Sequence, residues 1–395
     1  MLKEFDLPQE LVDRIVDELE NDNSTLRNLL LVSRSFRERA RYHIFRVFTL
    51  RQYSNHELDL ITHLFSETSP IPLLVRSLHI YPFNPALNDI LPLLRNVSHI
   101  HLRTASREIL RSTGLAQVLS TNPLTTLHIG EPQERPLAPS TSIHCGDFFD
   151  FVRCFPERIQ YVSLMYDYTW ERPSAEDTST IKGPSVGTLN LSAAGQNERV
   201  FHPNQSGVTI FSAIDQLRFS DSSFDNIRSI VRSLPPLSVQ KLCIPCQCVF
   251  EKNFTPLDCL GVSSLSILIN IALHRSHALE HIIKKLESTP VKSSLNNLQI
   301  ILAFRPSRVL HDILLQPSSD RLWKSLAELA HRIGGCEITI TNAVPFFESS
   351  LREWDRNVSR MTTKLRGHFM QAGRSLDVRG VYCEDPNDPV ELFVH

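Results

Sequence analysis

Residues 75–80 of the chain read Val-Arg-Ser-Leu-His-Ile, and residues 97–102 read Val-Ser-His-Ile-His-Leu. A third stretch, residues 124–129, reads Leu-Thr-Thr-Leu-His-Ile. All three share the pattern apolar-x-x-apolar-x-apolar, and alternation with a period of two predicts a β-strand with one buried face. The pattern recurs along the chain, with its central apolar residue at positions 78, 100, 127, 162, 189, 217, 242, 265, 298 and 338.

The spacing of these copies predicts how the strands are connected. Most copies are separated by 22 to 28 residues, enough chain for a helix that returns to a parallel neighbouring strand. Helical patterns fill several intervals, at residues 86–94, 107–119, 148–155, 224–234, 271–286 and 322–333. Alternating strands and helices with right-handed crossovers predict an α/β fold whose parallel strands stack into a solenoid. An ordinary α/β domain with a parallel sheet would also contain repeated short apolar strands.

This repeat resembles leucine-rich repeats of irregular type, whose copies are roughly 20 to 29 residues long. The resemblance implies a leucine-rich-repeat-like solenoid over residues 49–345. The Asn or Cys that this family places after the strand is absent from most copies, where the chain has Ala105, Ala194, Ser222 and Gln247.

The last part of the chain, residues 346–395, changes character. A helical pattern at 346–370 precedes strand patterns at 376–382 and 390–394. Because the last repeat of a solenoid must hide its apolar edge from water, this part is predicted to form a C-terminal cap.

Ahead of the repeats, residues 1–48 follow a helical period. One side of the first predicted helix is apolar and comprises Leu11, Val12, Ile15, Val16 and Leu19. Ser24 is a suitable N-cap for a second helix, and Ser33 or Ser35 for a third. About forty residues are too few for a stable independent core. We therefore expect three helices whose apolar sides cannot all be buried by one another.

The order of these residues resembles the F-box family. Leu-Pro-x-Glu-Leu at residues 7–11 is followed by an Ile and a Leu at four-residue intervals, and Leu-Val-Ser-Arg-x-Phe follows at residues 31–36. Phe36 stands where most members have Trp. The Arg-Tyr-His-Ile-Phe-Arg at residues 41–46 is similar to the large fungal group of F-box proteins.

The resemblance implies a partner and a function. An F-box binds a Skp adaptor, and the adaptor joins it to a cullin-RING ubiquitin ligase of the SCF type. The repeat domain would then hold a target protein for ubiquitin-dependent degradation. The adaptor-binding residues implied in this way are Leu7, Pro8, Leu11, Ile15, Leu31, Val32 and Phe36. The alternative is a repeat-type interaction scaffold that engages no ligase, in which the N-terminal helices cap the following domain.

Composition and charge argue against several classes of protein. The net charge is −2, so no overall field attracts nucleic acid or an anionic membrane. No apolar run approaches the roughly 20 residues of a membrane helix. The first residues are polar, unlike a secretory signal, and the eight cysteines are then expected to be reduced thiols. A cytoplasmic or nuclear location follows as an expectation.

Polar side chains between the two buried residues of each strand predict a target-binding face. Equivalent positions on adjacent parallel strands lie about 4.8 Å apart, so three consecutive histidines form one column. The residues predicted to bind a target are His79, Tyr81, His101, Arg103, His128, Asn190 and Arg218. A metal site is not predicted, because no carboxylate or cysteine joins the column. A plain solvated surface remains the alternative.

Two further clusters of cysteine or histidine residues have spacings that could suggest a metal site. Cys243, Cys246 and Cys248 have no second Cys-x-x-Cys pair, so free thiols are predicted. His274, His277 and His281 share a helix side but lack the His-Glu-x-x-His arrangement. The chain has no glycine-rich phosphate loop and no Gly-x-Ser-x-Gly elbow. We therefore predict neither cofactor nor metal, and a protein that is not an enzyme.

Overall fold

The computed structural model describes most helices and strands of the chain, and they form two compact units. The described residues are 7–51, 53–81, 84–130, 142–164, 169–171, 183–192, 211–221, 227–228, 230–231, 239–245, 263–270, 277–287, 297–304, 320–333, 336–342, 377–381 and, in part, 359–370. One unit comprises residues 1–187 and 210–212, and the other comprises residues 188–209 and 213–395. The division lies inside the predicted solenoid, and the domain boundaries at residues 48 and 345 stay predictions.

Three helices open the first unit. They are α1 at Gln9–Asp17, α2 at Asn23–Val32 and α3 at Arg34–Arg46. Val16, Leu26 and Ala40 form a small, fully buried core between them. Partly buried side chains pack around this core, namely Leu19, Leu29, Leu30, Phe36 and Ile44. The module thus holds together through one apolar side of each helix.

The cap of α2 differs from the predicted one. The Asp22 carboxylate accepts hydrogen bonds from the backbone N–H groups of Ser24 (3.1 Å) and Thr25 (3.0 Å). The prediction that Ser24 caps this helix is therefore wrong, because Asp22 precedes it with a stronger acceptor. Ser33 does stand at the cap position of α3, although its side chain accepts no cap hydrogen bond.

The remainder of the first unit alternates short strands with helices. Its strands are β1 (Val47–Leu50), β2 (Ser77–Ile80), β3 (His99–Leu102), β4 (Thr126–Ile129), β5 (Ser142–His144), β6 (Arg158–Leu164), β7 (Thr169–Glu171) and the start of β8 (Ser185–Ser192). Its further helices are α4 (Asn55–Leu64), α5 (Arg107–Leu110), α6 (Thr113–Thr121) and α7 (Cys145–Arg153). Strands β1, β2, β3, β4 and β6 lie side by side in that order, all parallel. Strands β5 and β7 pair separately, also in parallel.

The register of this sheet brings the central apolar residues of four predicted strands into one row. Leu78 pairs with Ile100, Ile100 with Leu127, and Leu127 with Val162. All four side chains are buried. The α/β class with parallel strands is thus correct for this unit.

The helices pass into the sheet without a linker. Helix α3 ends at Arg46 and β1 begins at Val47. The backbone N–H of Arg76 donates to the Arg46 carbonyl at 2.8 Å, so the residue directly before β2 is bonded to the last residue of α3. The three-helix module and the first strands therefore share one continuous hydrogen-bonded junction.

The connections between strands depart from the predicted helices in two places. Residues 86–94 form two 3₁₀ turns, Pro85–Leu87 and Leu91–Leu93, because proline supplies no N–H for a longer helix. Residues 107–119 are split into α5 and α6, since the Ser112 hydroxyl accepts from the Leu115 N–H at 3.1 Å and starts a new helix. Helix α7 confirms the prediction for residues 148–155.

Two asparagines bridge successive repeats just before a strand. The Asn96 amide donates to the Leu73 carbonyl at 2.7 Å. The buried Asn122 amide donates to the Leu94 carbonyl at 2.7 Å and accepts from the Val97 N–H at 2.7 Å. The leucine-rich-repeat pattern predicts such residues only after the strand, so this pair, which precedes β3 and β4, was not predicted.

Replacing Asn122 by alanine is expected to lower the free energy of unfolding by about 2–4 kcal/mol, because the Val97 N–H and the Leu94 carbonyl would lose a buried partner. Urea unfolding followed by circular dichroism measures this change. Asn96→Ala is the matched control, and since Asn96 makes one such bond near the surface, its loss should be smaller. Equal midpoints for the two variants would contradict this role.

The second unit continues the same alternation. Its strands are β9 (Ala213–Asp221), β10 (Val239–Pro245), β11 (Ser264–Asn270), β12 (Asn297–Phe304), β13 (Cys336–Asn342) and β14 (Asp377–Val381). Its helices with complete bounds are α8 (His277–Glu287) and α9 (Asp320–Ile333). Each strand pairs in parallel with the next along the chain. Trp323 of α9 is fully buried.

The predicted helices of this unit are recovered in part. Helix α9 confirms residues 322–333, and α8 confirms the later part of residues 271–286. The described positions within residues 224–234 are helical, as are those between 359 and 370. Residues 271–276 and the predicted strand at 390–394 lie outside the described part of the chain.

The last predicted copy is out of register by two residues. Ile338 pairs with Ile300, while Leu298 pairs with Cys336. A shift of two residues keeps each side chain on the same face, so periodicity alone does not separate the two registers. Strand β14 confirms the strand predicted at 376–382 and adds a parallel neighbour to β13.

Candidate functional site

Helix α1 presents one broad apolar side, and only part of it is buried. Val12 and Val16 are buried, whereas Leu11 and Ile15 are 49% and 45% exposed. The expectation that the apolar sides of these helices cannot all be buried by one another therefore holds for α1. Leu7, just ahead of the helix, is 51% exposed, and Pro8 is exposed as well. An apolar strip of α1 therefore faces solvent.

The end of α2 also exposes apolar side chains. Leu31 is 83% and Val32 is 66% exposed. The Gln9 amide donates to the Ser35 carbonyl at 3.1 Å, which holds the start of α1 against the start of α3, directly after Leu31 and Val32. We call Leu7, Pro8, Leu11, Ile15, Leu31 and Val32 the N-terminal apolar surface.

Phe36 does not belong to this surface in the same way. Its ring packs against the core of the three helices and is only half-exposed. Phe36 was predicted to bind the adaptor, but its ring mainly packs α3 against the other two helices.

A charged cluster fixes the last residue of α1 against α3. The Asp17 carboxylate accepts from Arg39 Nε at 2.5 Å and from Arg39 Nη2 at 2.8 Å. His43 Nε2 lies 2.7 Å from the same carboxylate, and the His43 side chain is only 4% exposed. The hydrogen bond from Arg39 is the main reason that the pKa of Asp17 lies below its ordinary value. The cluster therefore works as an ionised clamp near neutral pH.

Asp17→Asn is expected to loosen α1 by about 1 kcal/mol, a modest loss because the carboxylate is 41% exposed and screened by solvent. Hydrogen exchange of the α1 amides measures it and should become faster. Asp13→Asn is the matched control, since among the described residues the hydrogen bond that Asp13 accepts comes from Gln9 of the same helix. Equal exchange in the two variants would contradict the clamp.

Three histidines of the first unit form the predicted column. His79 pairs with His101, and His101 pairs with His128. The ring centroids are 5.4 Å and 5.8 Å apart, in edge-to-face contact. The prediction that these residues lie together is confirmed. We call His79, His101 and His128 the histidine column.

Two rings of the column, His79 and His128, are electrically neutral at pH 7. Burial lowers the pKa of His79 and of His128 to about 4, and the neighbouring His101 adds to the effect. His101 Nε2 lies 3.0 Å from the Gly130 carbonyl, which can only accept, so this nitrogen carries a proton. Polar aromatic rings thus cover this part of the sheet.

Tyr81, Arg103 and Tyr161 extend the column. The Arg103 guanidinium lies 5.2 Å from the centre of the Tyr81 ring, a cation–π contact that confirms their predicted proximity. Tyr161 was missed, although its ring lies 5.3 Å from that of His128. The signal in the sequence was the position of Tyr161 on the neighbouring strand, opposite Thr126.

The other two predicted target-binding residues belong to the second unit. Asn190 is half-buried on β8, and Arg218 is 7% exposed on β9. The expectation that the middle strand position points out of the core is wrong at five positions beyond β4, because Ser163, Arg218, Cys243, Ser266 and Gln299 are all buried. Ser266 donates to Gln299 at 2.7 Å within this buried row. Arg218 is therefore not accessible to a partner.

The candidate metal groups gain no support from the described residues. Cys243 is a free, buried thiol, and burial raises its pKa. Its predicted neighbours Cys246 and Cys248 lie outside the described residues, as does His274. In the part of the chain that is described, no group of three or more His, Cys, Asp or Glu side chains is arranged to hold a metal ion.

Comparison with known proteins adds no relative. No protein-family model matches the chain, and no curated protein matches it significantly. No helix within the described ranges is both long and apolar enough to span a membrane.

Proposed function

We propose that the chain is the substrate-recognition subunit of an SCF-type cullin-RING ubiquitin ligase. The N-terminal apolar surface would bind a Skp adaptor, and the repeats, as an irregular leucine-rich-repeat-like solenoid, would hold the target protein. The observation that carries this proposal is the exposure of Leu7, Leu11, Ile15, Leu31 and Val32 at positions of the F-box pattern.

Physical reasoning supports a protein partner for this surface. Single exposed apolar residues are ordinary, but five large ones concentrated in about forty residues are typical of interaction sites. The Asp17 clamp and the bond from Gln9 to Ser35 hold α1 and α3 in fixed positions. A rigid apolar surface loses little conformational entropy when it binds.

The catalytic contribution of such a subunit is proximity. It would bring the target protein to the ligase, which raises the effective concentration of target lysines near the ubiquitin-loaded enzyme. No side chain of this chain needs to take part in the transfer.

Reconstitution tests the proposal. The full chain, a Skp adaptor, a cullin and a RING subunit are mixed and separated by size-exclusion chromatography. The chain should elute with the complex only when the adaptor is present. Elution apart from the complex under all conditions would overturn the proposal in favour of a scaffold that engages no ligase.

A further inference from the structure

The histidine column lies on strands that have no other acidic or basic side chain. Strands β1 to β4 contain apolar residues, Ser, Thr and His, and no Asp, Glu, Lys or Arg. Adjacent rings of the column are in edge-to-face contact, so each ring is supported by its neighbour. All three histidines are half-buried, which leaves part of each side chain in contact with solvent. The column is therefore a polar, aromatic strip that crosses the sheet.

Four of the six ring nitrogens of the column are available to another molecule. His79 Nε2 lies 3.1 Å from Ser77 Oγ, and His101 Nε2 lies 3.0 Å from the Gly130 carbonyl. Within the described part of the chain, Nδ1 of these two histidines and both nitrogens of His128 have no hydrogen-bond partner. None of the four is among the fully buried polar atoms that lack a partner, so each of them reaches solvent.

The chemistry of these nitrogens favours an uncharged partner group. A neutral imidazole has one nitrogen that donates and one that accepts. The rings of His79 and His128 are neutral at pH 7, so they present both kinds of site without a net charge. A carboxamide side chain has the same combination, because its oxygen accepts and its NH2 group donates. Asn or Gln therefore complements the column, whereas an ion placed on these two rings would lose hydration without meeting an opposite charge on them.

The spacing of the rings suits an extended peptide chain. Their centroids are 5.4 Å and 5.8 Å apart along the column. In an extended segment, alternate side chains point the same way and lie roughly 6.5 Å apart. The difference is small enough for flexible carboxamide side chains to span. Successive rings can thus meet the side chains i, i+2 and i+4 of one segment that crosses the strands.

We propose that the histidine column binds an extended, uncharged segment of the target protein, in which Asn or Gln at alternate positions hydrogen-bonds to the ring nitrogens. This inference rests on the proposed function, because it names the chemistry of the target that the same protein would present. The arginines near this face take no part in it. Arg103 stacks on the Tyr81 ring, and Arg51 is paired with Glu57.

Fluorescence anisotropy on the full chain tests this inference. The probes are labelled peptides in which serine alternates with glutamine, glutamate, lysine or leucine. The glutamine peptide should bind at least about threefold more tightly than each of the other three. Its affinity should stay the same when the salt is raised to about 0.5 M, since no ion pair forms. Equal or tighter binding of another peptide, no binding of the glutamine peptide, or a loss of its affinity at high salt would overturn the inference.

Two variants separate hydrogen bonding from ring stacking. His128→Phe keeps an aromatic ring but removes both nitrogens, so it should weaken binding of the glutamine peptide at least about fivefold. His79→Phe should act in the same direction, and circular dichroism checks that each variant is folded. His63→Phe, at an exposed residue of α4, is the matched control and should leave the affinity unchanged. An unchanged affinity in the folded column variants, or an equal loss in the control, would show that the ring nitrogens do not bind the peptide.

Adaptor binding is measured in parallel on the same preparations. If the adaptor binds and the glutamine peptide does not, only this inference fails. If the peptide binds and the adaptor does not, only the proposed function fails.

Discussion

Replacing Leu11 and Leu31 together by aspartate is expected to weaken binding of a Skp adaptor at least about a hundredfold, or about 2.7 kcal/mol. Both side chains belong to the N-terminal apolar surface and point away from the core. Burying a leucine contributes roughly 1.5–3 kcal/mol, and a buried unpaired carboxylate is costly. Isothermal titration calorimetry with purified adaptor measures the loss.

The fold should survive this double substitution, because neither side chain packs in the module core. Leu60→Asp provides the control, since Leu60 is 51% exposed on α4, outside the proposed surface. Its affinity for the adaptor should match that of the unaltered chain. An equal loss in the control, or an unchanged affinity in the double variant, would show that the adaptor binds elsewhere or that no specific site exists.

Acidification from pH 7 to pH 5 is expected to destabilise the first unit through the histidine column. His79 and His128 have pKa values of about 4 in the folded chain, below the ordinary value of 6.5 that applies when it is unfolded. Between these two values the unfolded chain binds more protons, so stability falls as the pH falls. At about 1.4 kcal/mol per pKa unit, and allowing for partial exposure, each ring should contribute about 1–2 kcal/mol by pH 5.

Urea unfolding at a series of pH values measures this loss. In the double variant His79→Gln/His128→Gln the dependence on pH between 7 and 5 should become shallower, because glutamine does not titrate. His56→Gln is a suitable control, since His56 is an exposed residue on α4. If the free energy of unfolding depends on pH equally in the double variant and the unaltered chain, other titratable groups cause the acid sensitivity.

The sequence predicted the strands well because period-two alternation reports directly on burial. It placed Leu78, Ile100, Leu127 and Val162 in one row, and the sheet registers agree. It could not fix the register of β13, since a two-residue shift preserves every face. It also missed β1 and α4, where the apolar residues follow no repeat. Prolines shorten the predicted helix between β2 and β3 to two 3₁₀ turns. This is a local backbone effect, and hydrophobic periodicity does not detect it.

The candidate site was predictable only where neighbouring strands repeat the same residue type. Three histidines at equivalent positions had to meet once the strands paired in register. Tertiary packing decides whether other parts of the chain cover the polar side chains at the middle strand positions. The burial of Ser163 and Arg218 therefore could not be predicted from the local sequence. The exposure of Leu31 and Val32 was expected from the resemblance, whereas the inward turn of Phe36 depends on how α3 packs.

The junction at Arg46 and Val47 gives the proposed ligase subunit a rigid connection between its N-terminal helices and its first strands. Because α3 runs directly into β1, and the residue directly before β2 is bonded to the last residue of α3, a protein bound to the helices keeps a set orientation relative to the first strands. A flexible linker would let the target protein sample a wide volume around the ligase, whereas a rigid connection confines it to a small one. In a ligase built in this way, the position of a lysine on the target, more than its local sequence, would decide whether it receives ubiquitin.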